Sequence, residues 1–216
     1  MSLLNAAVKR ETPYDRGSAV FTQDATFESC YVVKSGAVKT VRISERGDEK
    51  ILGFYLPGEM FGLDGLTGER YTSSAIALER SAVCEIPFHR LEELSRELPH
   101  LQHYLFRLMS QEISGAEQLG MLLSNNTAEE RIISMFLTLS SRQARRKLSA
   151  TRFRLPMARG EIANFLGLAL ETVSRVLSRM QKQQQIRLDG RDIELLDLDA
   201  LQRQLRQNPD FCVATG

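Results

Sequence analysis

Residues 159–183 constrain this chain more than any other segment, because they contain two short helical patterns separated by a glycine. Three polar residues of the second pattern occur at spacings i, i+3 and i+4, which places them on one helix face: Glu171, Ser174 and Arg175. Three apolar residues are expected to point the other way, into a core: Leu170, Val173 and Leu177. A helix with an anchored apolar side and a compact donor and acceptor set near its start suits the major groove of DNA. The segment therefore predicts a DNA-binding helix-turn-helix.

The charge distribution supports this prediction. Residues 142–191 contain twelve Lys or Arg residues and three acidic residues, a net charge of +9, which leaves −8 for the rest of the chain. A basic block on an otherwise acidic chain is typical of phosphate contacts. A solvated basic surface is the alternative interpretation of this block taken alone.

The residues around the two helical patterns predict a winged helix. An amphipathic helix is expected from Glu129 to about Arg146, followed by a short extended segment over residues 153–156. After the second helical pattern, residues 185–196 form two β-type runs joined by Asp189-Gly190, which is a strong hairpin signal. Helix, turn, helix and hairpin in this order indicate a winged helix-turn-helix.

The N-terminal part has a β pattern, since eight of the 14 glycines precede residue 70. Six short runs are candidate strands: residues 18–22, 30–34, 37–43, 50–56, 73–78 and 82–87. Ser35-Gly36 and Arg46-Gly47-Asp48 are expected to form hairpin turns. Many short strands separated by turn signals predict a small barrel or roll.

A proline-free stretch within residues 88–124 predicts a long helix with an apolar seam. The seam residues recur at spacings of four and three, interrupted by Glu112: Leu105, Met109, Ala116, Leu119 and Leu123. Such a seam suits a partner helix and therefore a homodimer. Packing of the helix on its own domain is the alternative. A dimer is favoured because Ala116 and Gly120 permit close helix approach and because helix-turn-helix proteins generally bind DNA as two copies.

The predicted reading helix offers specific base contacts. Arg175 has two parallel N–H donors that match guanine O6 and N7, and Glu171 is an acceptor suited to the amino group of cytosine. Ser174 is small enough to contact a base edge or a phosphate. Phosphate contacts are assigned to Arg159, Thr172, Arg179, Lys182 and Arg187. The alternative for Glu171 and Arg175 is a mutual surface salt bridge of little energetic value.

Composition excludes several classes of protein. Apolar content of 43% and charged content of 25% are ordinary for a globular protein. No apolar run is long enough for a transmembrane helix, and no signal peptide is evident, so we expect a cytoplasmic protein without a membrane partner. The three cysteines lack disulfide or zinc spacing and are expected to be reduced: Cys30, Cys84 and Cys212. Because no nucleophile–base pairing, metal motif or phosphate-binding glycine loop is visible, an enzyme is not expected.

Four segments carry a family resemblance: residues 46–54, 81–88, 107–118 and 159–179. Their sequences, RGDEKILGF, SAVCEIPF, RLMSQEISGAEQ and RGEIANFLGLALETVSRVLSR, resemble the CRP/FNR family of bacterial transcription regulators, and most closely its FNR (fumarate and nitrate reduction) branch. The resemblance implies an α+β chain. A cyclic-nucleotide-binding-like β-roll of antiparallel strands would span residues 1–97, a dimerisation helix residues 98–126 and a winged helix-turn-helix residues 127–216.

The resemblance also implies partners. The E-x-x-S-R set of this branch, carried here by Glu171, Ser174 and Arg175, reads a TTGAT half-site. It therefore implies a homodimer on an inverted repeat close to TTGAT-N4-ATCAA that controls anaerobic or redox-responsive genes. It further implies that an exposed turn at Ile43, Gly47 and Asp48 touches RNA polymerase.

The departures from the FNR branch concern what is sensed. Its oxygen sensors hold a [4Fe-4S] cluster with three N-terminal cysteines and a fourth in the β-roll, where Cys84 lies here. Residues 1–29 supply no cysteine, and Cys30 matches an apolar family position. Because four thiolates are needed, this chain alone is expected to hold no cluster. Either these residues begin within a longer cluster-binding protein or the cluster has been lost, and Cys84 is then a small buried apolar residue.

Cyclic AMP is not expected to bind. Residues 57–68 resemble the phosphate cradle of CRP-type proteins, but Tyr71 precedes Thr72 where the phosphate-binding arginine belongs. Arg70 lies one position away, and a shifted register is the alternative. A second functional hypothesis is a small-molecule, cyclic-nucleotide or haem sensor that uses the β-roll. Three histidines are candidate haem ligands or, alternatively, surface residues: His89, His100 and His103.

Two alanines at helix caps also depart from the family. Ala158 and Ala169 replace hydroxyl N-caps, and each is expected to cost about 1 kcal/mol of local stability. Glu161 and Glu171 in the first helical turns are expected to offset part of this cost through the helix dipole. Ala116 is uncharged, so no repulsion at that position opposes pairing, and we expect dimerisation without a cluster.

Overall fold

The structure is a computed structural model that describes residues 10–206. The chain divides into two compact units, residues 1–112 and 113–216. The division falls within a long helix, and each unit has its own core. Cys212 lies outside the described residues.

Eight antiparallel strands build the part of the N-terminal unit that the structure describes. They are β1 Arg10–Tyr14, β2 Ala19–Phe21, β3 Ser29–Ser35, β4 Val38–Ile43, β5 Glu49–Tyr55, β6 Met60–Phe61, β7 Ser74–Ala77 and β8 Ser81–Pro87. One four-stranded sheet has the order β1-β8-β3-β6 and the other the order β2-β7-β4-β5, with a 3-10 helix at Leu63–Thr67 between β6 and β7. This arrangement confirms the predicted β-roll.

Each of the six runs predicted as strands overlaps one observed strand, whereas β1 and β6 were not predicted. β1 has the sequence RETPY, whose charges and proline are not typical of a strand. Among the described residues it pairs with β8 alone, at the sheet edge. β6 has two residues, too few for any alternating pattern. Both strands exist because neighbouring strands supply hydrogen-bond partners.

Aromatic side chains fill the space between the two sheets. The buried members of this core are Phe21, Val33, Val38, Phe61, Tyr71, Ala75 and Val83. The rings of Phe21 and Tyr71 stack with centroids 3.9 Å apart. The buried Tyr71 hydroxyl donates a 2.6 Å hydrogen bond to the Ser29 carbonyl, so its polar atom is satisfied within the core.

Two helices follow the sheets, α1 Phe88–Glu97 and α2 Pro99–Asn125. They are separated at Leu98, which has extended dihedrals (φ −122°, ψ 91°), because the proline ring at position 99 disfavours the helical conformation in the preceding residue. Leu91 of α1 and Leu101 of α2 are buried in a second cluster of the N-terminal unit with Cys30, Met60 and Ile86.

The C-terminal unit is a winged helix, as predicted. Its elements are α3 Ala128–Arg145, β9 Arg152–Arg154, α4 Arg159–Leu166, α5 Leu170–Lys182, β10 Ile186–Asp189, β11 Asp192–Leu195 and α6 Leu198–Arg206. The predicted hairpin is β10–β11, and β9 pairs with β11 as a third strand. Helix α6, which was not predicted, buries Leu201 and Leu205.

Helix α3 begins with a reciprocal cap that its sequence, T-A-E-E, encodes locally. The Thr127 hydroxyl accepts a hydrogen bond from the Glu130 backbone N–H, and the Glu130 carboxylate accepts one from the Thr127 N–H at 2.7 Å.

No helix among residues 10–206 is both long and apolar enough to cross a membrane.

We expect Tyr71→Phe to lower the free energy of unfolding by about 1–3 kcal/mol, because the buried Ser29 carbonyl loses its hydroxyl donor. Urea titration followed by circular dichroism measures the change. Tyr104→Phe, at an exposed tyrosine of α2, is the matched control and should stay within about 0.5 kcal/mol of wild type. Equal effects of the two substitutions would contradict the assigned role of the hydroxyl.

Candidate nucleic-acid interface

Helix α5 has one buried face, which fixes the direction of the opposite face. The buried residues are Val173, Val176, Leu177 and Met180, and the helix packs on α3 and α4. The prediction that Leu170 joins this core was wrong, since its side chain is 47% exposed. Leu170 is the first helical residue and neighbours Ser174 on the helix surface, at the edge of the apolar face.

The predicted base-reading residues lie together on the opposite face of α5. Glu171 and Arg175 are exposed and Ser174 is half-buried. Among residues 10–206, no hydrogen bond or ion pair involves the side chain of Glu171 or Arg175. The alternative of a mutual salt bridge is therefore absent from the structure, and both groups are exposed in solvent.

The turn between α4 and α5 depends on a left-handed glycine. Gly167 has φ +63°, and the Leu168 N–H after it donates a 2.9 Å hydrogen bond to the Ala163 carbonyl. This geometry ends α4 in the manner of a glycine C-cap and starts α5 three residues later. The angle between the two helices is therefore set by the backbone of the turn.

The two alanine N-caps differ in the structure. Glu161 accepts a 2.8 Å hydrogen bond from the Ala158 N–H, so one half of a capping box remains at the start of α4. Ala169 makes no side-chain cap at the start of α5. Glu171 lies in the first turn of α5, where its charge meets the positive end of the helix dipole.

The five residues predicted to contact phosphate have different environments. Arg159 and Lys182 are exposed, and the described residues provide no side-chain partner for either. Thr172 is half-buried. Arg179 forms an ion pair with Glu129 of α3, and Arg187 forms one with Glu194 at 2.7 Å. A phosphate must therefore compete with a carboxylate at two of the five positions.

Two carboxylates reduce the basic field expected from the sequence. Glu194 also pairs with Arg152 at 2.5 Å, and the hydrogen bond from Arg152 is the largest cause that lowers the pKa of the Glu194 carboxyl. Arg191 donates a 2.9 Å hydrogen bond to the Pro156 carbonyl. Glu194 therefore offsets part of the positive charge of Arg152 and Arg187 on the three-stranded sheet. Arg159 in α4 and Lys182 in α5 have no such partner among the described residues.

The interior of the β-roll does not fit a cyclic nucleotide. Tyr71 lies where a phosphate-binding arginine was sought, and its ring occupies the core with Phe21, Tyr31 and Phe61. Arg70 is exposed and donates a 2.6 Å hydrogen bond to the Asp24 carbonyl, so no shifted register brings it inward. Position 71 therefore supplies an aromatic ring and not a guanidinium that could neutralise a phosphate.

A carboxylate lies beside the hydroxyl residues of the same segment. Asp64 Oδ2 accepts hydrogen bonds from the Thr72 N–H at 3.1 Å, the Thr72 hydroxyl at 2.9 Å and the Ser73 hydroxyl at 2.8 Å. The donors that face this position are thus used by an anion of the chain itself. A phosphate placed here would be repelled by Asp64.

The described residues also do not fit an iron–sulfur cluster. Cys30 is buried, and burial together with the charge of Asp64 raises the pKa of its thiol to about 12. Burial also raises the pKa of the half-buried Cys84 thiol, helped by the Glu11 charge. Cluster ligands are thiolates, and the whole sequence has three cysteines, one fewer than the four required.

The candidate haem ligands do not converge either. His89, His100 and His103 have exposed side chains on α1 and α2. Within residues 10–206, no three His, Cys, Asp or Glu side chains are grouped so as to hold a metal ion.

The exposed apolar stripe of α2 differs from the predicted seam. Phe106 and Ile113, which sequence reasoning missed, are 61% and 62% exposed, and Met109 is 43% exposed. With Ala116 and Gly120 they recur at spacings of three and four, the heptad signal that could have revealed them.

The other predicted seam residues are less exposed. Leu105 packs against the Cys30–Leu101 cluster of the N-terminal unit, because the first turns of α2 cover that core. It therefore belongs to a core and not to the exposed stripe. Leu119 and Leu123 are half-buried.

The hairpin predicted to meet RNA polymerase joins β4 and β5. Ile43 is 48% exposed, and its backbone N–H donates a 2.9 Å hydrogen bond to the Gln23 side chain. Gly47 has φ +84°, and Asp48 is exposed next to it. The turn thus presents an exposed apolar side chain and a carboxylate, and the hydrogen bond to Gln23 holds its backbone at Ile43.

Known proteins match both units of the chain. A model of the cyclic nucleotide-binding domain matches residues 11–97, and a model of the Crp-like helix-turn-helix domain matches residues 130–204. Among solved structures, FixK2 from Bradyrhizobium japonicum is similar with a TM-score of 0.79 at 31% identity, covering 90% of this chain and 96% of that one.

Curated relatives are more similar in sequence. The transcriptional activator protein Anr of Pseudomonas aeruginosa is 49% identical over 197 residues, which cover 91% of this chain and 81% of Anr. The fumarate and nitrate reduction regulatory protein of Escherichia coli is 42% identical over 198 residues, which cover 92% of this chain and 79% of that protein. The chain therefore belongs to the CRP/FNR family, near its FNR branch, and is a DNA-binding transcription regulator of the FNR type.

Proposed function

We propose that two copies of this chain bind an inverted repeat close to TTGAT-N4-ATCAA, each placing α5 in the major groove of one half-site. One observation carries the proposal: Glu171 and Arg175 are exposed side by side on α5, without a partner among the described residues, while the opposite face of that helix is buried. A paired carboxylate and guanidinium would have to be separated before they met a base. Here that cost is absent.

The reading set supplies complementary chemistry. The Arg175 guanidinium donates two parallel hydrogen bonds to guanine O6 and N7, and the Glu171 carboxylate accepts from the amino group of cytosine. Ser174 contacts a base edge or a phosphate nearby. Arg159 and Lys182 bind phosphates and fix the register, with Thr172, and Arg179 and Arg187 contribute once a phosphate displaces their carboxylate partners.

The dimer forms along the exposed stripe of α2. Phe106, Met109 and Ile113 supply apolar side chains, and Ala116 and Gly120 let the backbones approach. Leu119 and Leu123 flank the stripe. A two-fold dimer gives two reading helices related by symmetry, which an inverted repeat matches. No charge within the stripe opposes pairing, so dimerisation proceeds without a cluster.

The protein acts as a regulator in the cytoplasm and not as an enzyme, and controls anaerobic or redox-responsive genes. The names of its relatives, a transcriptional activator and a fumarate and nitrate reduction regulatory protein, support this role. Activation proceeds through the β4–β5 hairpin, where Ile43, Gly47 and Asp48 contact RNA polymerase. Exposure of Ile43 on a backbone held by Gln23 favours this contact.

We expect Arg175→Ala to reduce the preference for the inverted repeat over random duplex by about 1–3 kcal/mol, or roughly 5- to 150-fold, because the guanine donors are lost. Fluorescence anisotropy with the two labelled duplexes measures the preference. Arg159→Ala is the control and should weaken both duplexes alike, since a phosphate contact carries no sequence information. An unchanged preference in Arg175→Ala would overturn the proposed reading set.

We expect Ile113→Glu to shift the chain from dimer to monomer at micromolar concentration, because two carboxylates would face each other across the two-fold axis at a cost of several kcal/mol. Equilibrium sedimentation measures the mass. Met121→Glu, at another exposed apolar position that lies outside the stripe, should remain dimeric. A dimeric Ile113→Glu variant would contradict this seam.

The double substitution Ile43→Ala and Asp48→Ala should lower transcription from an operator-bearing promoter several-fold without changing operator affinity. In vitro transcription and anisotropy measure the two quantities separately. Arg46→Ala, in the same turn, is the control. Unchanged transcription, or a matching loss of operator affinity, would rule out the polymerase contact.

A further inference from the structure

The helices α2 and α4 end close to the linker that leads into α3. Residues Asn126 and Thr127 separate α2 from α3, and Leu166 is the last residue of α4. The last four carbonyls of any helix lack partners within that helix and carry partial negative charge. The carbonyl oxygens at these two helix ends therefore need hydrogen-bond donors from outside their own helices.

The side chain of Arg131 supplies three such donors. The half-buried Arg131 guanidinium donates three hydrogen bonds: from Nη2 to the Leu123 carbonyl at 2.7 Å, from Nε to the Asn126 carbonyl at 3.0 Å and from Nη1 to the Leu166 carbonyl at 3.1 Å. The acceptors belong to three segments, namely the last turn of α2, the linker and the end of α4. A planar group with several fixed donors and a permanent charge suits this task, whereas lysine offers a single ammonium.

The contacts around Arg131 reach the turn of the helix-turn-helix. A Cβ atom added at Gly167 would lie 3.9 Å from Arg131 Nη1 and 3.9 Å from the Leu123 side chain. The linker's other side-chain hydrogen bonds stay local, because Thr127 bonds with Glu130 at the start of α3. The buried Asn126 amide nitrogen finds no acceptor among the described residues. Arg131 thus ties the end of α2 and the linker to α4.

We propose that Arg131 is a positioning residue that fixes the reading helix relative to the dimerisation helix and thereby sets the half-site spacing that the dimer accepts. The end of α4 determines the start of α5, since Gly167 and the bond from Leu168 to Ala163 define the turn between them. A chain held at Leu166 and Leu123 by one guanidinium therefore presents α5 at one distance from the two-fold axis. This inference rests on the proposed function, because it takes α2 as the dimer helix and α5 as the reader.

The test compares wild type with Arg131→Met, which keeps the length of the side chain but removes its donors. Affinities are measured by anisotropy for a single half-site duplex and for inverted repeats with spacers of three, four and five base pairs. We expect wild type to prefer one spacer by at least about tenfold, because two linked contacts reinforce each other only when the geometry fits. Arg131→Met should lose most of this preference, yet bind a single half-site within about twofold of wild type.

Two further variants separate positioning from folding. Arg131→Lys should show an intermediate loss of spacer preference, and it replaces Arg131→Met should that variant not fold by circular dichroism. Arg145→Met, at an exposed arginine of the same helix, should keep the wild-type spacer preference. A purely structural role would weaken single half-site and repeat binding alike.

The possible outcomes are distinct. A folded Arg131 variant with the wild-type spacer preference, or with equal losses on half-site and repeat, overturns the inference alone. A wild-type chain without preference for any repeat overturns the proposed function from which it starts.

Discussion

The buried face of α5 is the constraint on which the DNA-reading surface depends. Val173, Val176, Leu177 and Met180 remove one side of the helix from water, at roughly 1.5–3 kcal/mol for each large side chain. The helix cannot rotate about its axis without exposing them. Glu171 and Arg175 are consequently held on the outside in a fixed direction, although no hydrogen bond or ion pair with a described residue holds their side chains.

Ion pairs reduce the positive charge of the surface around this helix. Glu129 engages Arg179, and Glu194 engages Arg152 and Arg187, so carboxylates already neutralise three of the cations in the basic segment. Exposed pairs of this kind add little stability. They do, however, affect which cations are available to DNA. Arg159 in α4 and Lys182 in α5 can bind a phosphate without first breaking an ion pair.

The N-terminal unit has the architecture of a nucleotide-binding roll, but its own side chains occupy the interior and bind the polar donors there. Tyr71 stacks on Phe21 in the core, and Asp64 accepts the hydrogen bonds of Thr72 and Ser73. Both side chains oppose phosphate binding, since Tyr71 stands where a phosphate-binding arginine was sought and Asp64 would repel a phosphate. The side chains at this place in the roll therefore pack and form hydrogen bonds without a cyclic nucleotide.

Sequence alone determined the elements whose signals are local: the β-runs, the Asp189-Gly190 hairpin, the Gly167 turn and the polar triplet on α5. Alternating or helical periodicity reports which face of an element is apolar, but not whether a neighbour covers it. Leu170, Leu105, Phe106 and Ile113 were misassigned or missed for that reason. Only the tertiary structure decided their burial, the pairing of Arg179 with Glu129 fifty residues earlier, and the joint at Arg131. These depend on which distant segments meet, and no local pattern encodes that information.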